Sequence, residues 1–98
     1  MELRHLKYFI AVAEAGSLTV AAGQKLHTTQ PFLSRQMSDL EAEVGVQLLK
    51  RSVRGVELTA AGRVFLDHAR VVLSQVEIAV ESARRLASLP SSTLCWDS

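Results

Sequence analysis

The chain has 98 residues, 48% apolar and 21% charged, enough for one small globular domain and too balanced for a disordered polyelectrolyte. Eleven Lys/Arg against ten Asp/Glu leave +1 with neutral His, so any affinity for nucleic acid must come from local placement of charge. The single cysteine, Cys95, excludes an internal disulfide framework and a Cys-rich zinc site. No run approaches the roughly 18 apolar residues of a membrane span, and MELRHLKYF lacks a signal-peptide core. A soluble, cytoplasmic protein is expected, and a barrel, a propeller or a two-domain enzyme is excluded by length.

In chain order, Leu3, Leu6, Ile10 and Ala13 recur at helical spacing with Phe9 beside them, which predicts a helix over 2–15 that Gly16 ends. Ser17 or Thr19 caps a second helix to about Leu26, with the small residues Ala21 and Ala22 allowing a crossing helix to approach. His27-Thr28-Thr29 is a polar break, and Thr28 or Thr29 caps a third helix from Gln30 to Val44. Pro31 lies in its first turn and Gly45 stops it. Residues 46–58 hold two short β-prone runs around Ser52-Val53-Arg54-Gly55, a small hairpin or wing. Thr59 caps a fourth helix that reaches about Ser88, and the tail from Pro90 has no periodicity and is expected to fray. The fold class is therefore mainly α: three helices plus a short hairpin or wing, followed by a long helix.

The third helix carries the functional argument. Leu33, Met37, Leu40 and Val44 fall within about 60° of one another at about 100° per residue, a core stripe. Opposite lie Pro31, Arg35, Ser38 and Ala42, with Ser34 beside them, and no acid is on that face. Asp39, Glu41 and Glu43 sit in the C-terminal half and on the flanks. A helix of this kind can put its N-terminal end into a DNA groove, where phosphates meet the positive end of the helix dipole. Arg35 offers a guanidinium fork for a guanine edge, and Gln30 an amide pair for adenine. An ordinary solvated helix face has the same composition, so this segment does not decide between the two without its context.

On the fourth helix Phe65, Ala69, Val72, Val76, Ala79, Ala83 and Leu86 alternate spacings of 4 and 3. Leu66, Leu73, Val80 and Ala87 form a second line at sevens, a heptad seam. Each fully buried Val or Leu is worth roughly 1.5–3 kcal/mol, so the seam predicts a homodimer, with packing on the chain's own helices as the alternative. A two-fold pair of reading helices meets half-sites about one helical turn or a multiple apart, and the expected target is an imperfect inverted repeat. His5, His27 and His68 are dispersed, and neither metal-ligand spacing nor a nucleophile motif is present. No enzyme, cofactor or metal is expected.

Three stretches, LKYFIAVAEAGSLTVAA, LHTTQPFLSRQMSDLEAEVGVQLLKR and ELTAAGRVFL, fall in this order over about two-thirds of the chain. In them the chain closely resembles the LysR-type transcriptional regulators. The resemblance implies a winged helix-turn-helix over 1–59, with the motif at about 18–38 and the wing at about 46–58, and a dimerising linker helix over 60–88. It also implies base or groove contact at Gln30, Pro31, Ser34 and Arg35, with Ser38 on the same face. Backbone contact is implied at Thr28, Thr29, Lys50 and Arg51, and minor-groove contact at Arg54. Lys50, Arg51 and Arg54 concentrate three cations in five residues, as a narrow minor groove favours; a solvated hairpin tip is the alternative.

Three departures from the family stand out. One more residue lies between Ala22 and Gln30 than in many members, which lengthens the second helix or its turn. Phe32 stands where members often have a small residue or Pro, and DNA contact and partial burial are both open for it. Members usually continue into a large effector-binding domain, so this chain is expected to hold no small-molecule effector site. Its partners are then duplex DNA at the nucleoid and a second copy of itself, with no membrane. The alternatives are an interaction protein that forms mixed dimers with full-length relatives, and a gene remnant whose tail comes from a frameshift.

Overall fold

The computed structural model describes residues 1–88; the expected frayed tail from Pro90 lies outside the described residues. Helix α1 spans Leu3–Ala15 and turns at Gly16. Helix α2, Leu18–Val20, runs directly into a π-helical turn, Ala21–Lys25. Helix α3 spans Gln30–Val44, strands β1 and β2 span Leu49–Ser52 and Gly55–Leu58, and α4 spans Ala60–Ala87.

Two helix starts left open by the sequence are resolved by hydroxyl geometry. Ser17 Oγ accepts from the Val20 N–H at 3.2 Å and caps α2. Thr29 Oγ1 accepts from the Phe32 N–H at 3.3 Å and caps α3. In both cases a side-chain oxygen satisfies an N–H that the first turn leaves without an intrahelical partner.

The second helix corrects the expectation of a plain helix to Leu26. Only Leu18–Val20 is α-helical, and the ladder then widens, with the Leu26 N–H donating to Ala21 O, five residues back, at 2.9 Å. The Thr28 N–H donates to Ala22 O at 2.8 Å. A π turn absorbs one additional residue without breaking the helix. Ala21 and Ala22 stay buried and Leu26 packs against the core, while Gly23, Gln24 and Lys25 face outward.

The chain pivots after this turn at His27, the described non-glycine residue with positive φ, at 52°. A side chain in the left-handed region costs about 1–2 kcal/mol, and glycine costs roughly 0.5–1 kcal/mol in unfolded-chain entropy. His27→Gly is therefore expected to stabilise the fold by about 0.5–1 kcal/mol. A urea midpoint that rises with unchanged slope would show it, and an unchanged or lower midpoint would refute it.

The core forms where α1, the π turn, α3 and the start of α4 converge. Phe9, Val12, Leu33, Met37 and Leu40 are all 0% exposed, with Leu48 and Leu49 closing the side beneath the hairpin. The strands pair antiparallel in the register Leu49↔Leu58 and Ser52↔Gly55. The base of the hairpin is tied to α3 by Glu41, whose Oε2 accepts from the N–H groups of Leu48 and Leu49, both at 2.8 Å. Glu41→Ala would leave two part-buried N–H donors unpaired and is expected to cost about 2–4 kcal/mol in denaturant titrations. Gln at this position still offers an accepting oxygen and should lose less. An equal loss for Gln and Ala would mean that packing, not these two bonds, is what Glu41 supplies.

Helix α4 starts against the same hairpin base. Thr59 Oγ1 accepts from the Gly62 N–H at 2.9 Å and donates to Gln47 O at 2.7 Å. Gly62 is required by the close approach, since a Cβ there would lie 2.1 Å from Leu48 O.

The first turns of α4 pack against the chain's own body. Phe65 meets Phe9 edge-on, with ring centroids 5.2 Å apart, and Ala69 is 2% exposed. Both belong to the chain's own core, beside Leu66. Beyond Ala69 the helix continues beside α1, with Arg70 3.4 Å from Glu14 and with Leu73 and Val76 half-buried, and the molecule reaches 60 Å along its longest axis. No helix among the described residues is long and apolar enough to cross a membrane.

Candidate nucleic-acid interface

Helix α3 is gripped on both flanks, and this leaves its outward face open. On the side of α1, Gln36 Oε1 lies 3.1 Å from His5 Nε2, and Glu43 pairs with the terminal ammonium of Met1. His5 Nδ1 accepts from the Glu2 N–H at 3.0 Å, so Nε2 carries the proton and donates to Gln36. On the side of the hairpin stands the Glu41 clamp described above. Pro31, Arg35 and Ser38 project between the flanks, exposed.

Of the other residues singled out from the sequence, Gln30, Thr28 and Ser34 are half-buried, and Thr29 is exposed, its hydroxyl spent on the cap. Ser34 accepts a hydrogen bond from the wing and keeps its own O–H to donate. Arg51 Nη1 donates to its Oγ at 2.7 Å and Nη2 lies 3.4 Å from its carbonyl oxygen. The wing and α3 are thereby joined at the edge of the outward face, a contact invisible in sequence because the two residues are 17 apart.

The wing itself is held by a close approach of backbones. The Val56 N–H donates to Gly16 O at 2.9 Å. Gly55 has φ +131°, and a Cβ there would stand 2.4 Å from Gly16 O, so the position demands glycine. Arg54 sits in the two-residue loop, exposed beside a fully exposed Val53, and Lys50 faces solvent on β1. A cleft of about 390 Å³ opens between the wing, the start of α2 and the start of α3, lined among others by Ser17, Thr19, Gln30, Arg51 and Arg54. Ser17 and Thr19, which line this cleft, were not singled out in the sequence as candidate site residues. The available signal was their hydroxyls at a helix start, a common source of phosphate contacts.

Charge is segregated over this surface. Arg4, Lys25, Arg70 and Arg85 each pair with a carboxylate within the chain. Arg35, Lys50, Arg51 and Arg54 make no ion pair among the described residues, and neither do Lys7, Arg63 and Arg84 away from this face. A net charge near zero therefore conceals a cationic rim around the outward face of α3, available to a polyanion. No cluster of potential metal ligands occurs among the described residues.

On α4, Val72, Ala79, Ala83 and Leu86 are exposed and Val76 is half-buried, with Val80 exposed beside them. This is the part of the seam that the chain's own core leaves uncovered.

Comparison with known proteins agrees with this geometry. The chain is 58% identical over 87 residues to the HTH-type transcriptional regulator AlsR of Bacillus subtilis, covering 89% of this chain and 28% of AlsR. It thus spans under a third of that relative's length. The crystal structure of the CbnR DNA-binding domain in complex with DNA superposes with a TM-score of 0.84 at 54% identity, covering 89% of this chain and 99% of that one. The BenM DNA-binding domain on catB site 1 DNA gives 0.88 at 49% identity, covering 92% and 100%. The sequence profile of bacterial regulatory helix-turn-helix proteins of the lysR family matches residues 3–63. An outward reading helix, a cationic wing and this match lead to one conclusion: the chain belongs to the lysR family of bacterial helix-turn-helix regulators.

Proposed function

We propose that this chain binds duplex DNA in a sequence-specific manner as a homodimer and thereby regulates transcription. In this reading residues 1–59 form the DNA-reading unit and 60–88 the pairing helix, and the site of action is the nucleoid in the cytoplasm. The observation that carries it is the open face of α3 bearing Pro31, Arg35 and Ser38, rimmed by cations that pair with no carboxylate among the described residues. Arg35 and Gln30 read base edges in the major groove. Arg54 enters the minor groove from the wing, where narrow segments concentrate negative potential. Lys50, Arg51, Thr28 and Thr29 contact the phosphate backbone and set the register. Two copies joined through the uncovered seam of α4 present two reading helices related by a two-fold axis, which calls for an imperfect inverted repeat. Two structural neighbours, the DNA-binding domains of CbnR and BenM, are complexes with DNA and support the same reading.

Selection of bound duplexes from a random library tests this directly. An inverted repeat is expected to emerge, with binding that falls steeply with salt, by a slope of about −0.9 per phosphate contacted. Recovery of unrelated sequences at equal affinity would overturn specific readout, and recovery of single half-sites would overturn the dimer.

A further inference from the structure

We propose that Phe32 reads a thymine 5-methyl group in the major groove and that Tyr8 is the positioning residue that holds its ring for this contact. The proposal rests on the DNA-binding reading above and adds to it the identity of one base feature. Phe32 lies in the first turn of α3, one residue from Pro31 and three from Arg35, yet it is 43% exposed while the adjacent Leu33 is 0% exposed. Its ring meets Tyr8 edge-on, with centroids 6.2 Å apart and planes at 75°. Tyr8 in turn packs against the core. One side of the Phe32 ring is therefore fixed by the fold and the other is open at the margin of the reading face.

The backbone beneath the ring is fixed as well, because the Phe32 N–H is bound by the Thr29 cap at 3.3 Å. No acidic residue occupies this first turn, so nothing there repels an approaching phosphate backbone. An apolar ring held at a groove-facing helix start needs an apolar counterpart. Among the base edges of the major groove, the thymine methyl is the apolar group on offer. A deoxyribose is the competing apolar surface, and it is the same whichever base it carries.

Deoxyuridine separates the two, because it differs from thymidine by that methyl alone. The probe is the inverted repeat selected from the random library, with its thymines replaced one at a time. At one position in each half-site the replacement is expected to weaken binding about fourfold, the equivalent of one buried methyl. Phe32→Ala should bind the thymine and uracil duplexes equally, and Phe32→Leu should keep part of the difference. Tyr8→Ala should shrink the difference while leaving affinity for random duplex unchanged, which a merely destabilising change would not do. A methyl preference that persists in Phe32→Ala, or no sensitive thymine at all, overturns the proposal while specific binding stands. Absence of any preference for the selected repeat over random duplex overturns the DNA reading itself, and this inference with it.

Discussion

Val76→Asp is expected to turn the protein into a monomer, raising the dimer dissociation constant at least roughly 100-fold, because an unpaired carboxylate in an apolar interface costs about 3 kcal/mol or more. Val76 is half-buried in the single chain and lies outside its core cluster. The variant should therefore keep its helical signal and lose only the concentration-dependent part of its unfolding midpoint while its sedimentation changes. Binding to a two-half-site duplex should fall with it, since each copy then holds a single half-site. The contrasting change is Ala69→Asp. Ala69 is 2% exposed within the chain, so this substitution should unfold the protein whether or not it dimerises. A Val76→Asp protein that remains dimeric would remove α4 as the pairing surface.

Arg35→Ala is expected to weaken binding to the selected repeat by about 1–3 kcal/mol, roughly 5- to 150-fold, and to flatten base preference at one position in each half-site. The size follows from the loss of two parallel hydrogen bonds to one base edge. Arg35 is exposed, and no carboxylate of the described chain pairs with it, so the substitution removes no internal contact that would blur the result. Arg35→Lys should also lose the base preference, because an ammonium lacks the planar fork. Lys50→Ala gives the opposite signature, a uniform loss over all sequences with a salt slope shallower by about one. Affinities for every single-base variant of the repeat, at two salt concentrations, measure both. A uniform loss for Arg35→Ala would reassign it to the phosphate backbone.

Much of this molecule can be read along the chain, because helices and hairpins are specified by spacing and by a few special residues. Gly16, Pro31, Gly45 and Thr59 mark element boundaries where the structure has them. The stripe of Leu33, Met37 and Leu40 faces inward, and Arg35 faces out on the opposite side. Periodicity of 3.6 assigns each residue to a face, and the faces follow from it. Lys50, Arg51 and Arg54 could likewise be located on a wing from the β-prone runs alone.

Periodicity carries no information about which element a face will meet, and each difference arises there. The stripe on α4 looks continuous from Phe65 to Leu86, yet packing divides it: Phe65 meets Phe9 edge-on and Ala69 is buried within the chain, while Val72, Ala79, Ala83 and Leu86 stay exposed. Arg51 looks like one more free cation of the wing until the hairpin folds against α3 and brings its guanidinium to Ser34. The second helix is visible in the spacing, but its widening into a π turn depends on holding Ala21, Ala22 and Leu26 in a core built by other helices. Local chain chemistry settled where each helix and strand begins, ends and turns its apolar side. Contact between elements distant in the chain settled which cations stay free, which apolar surface stays uncovered and where the ring of Phe32 comes to rest, because those outcomes are energies of pairs that only the assembled fold brings together.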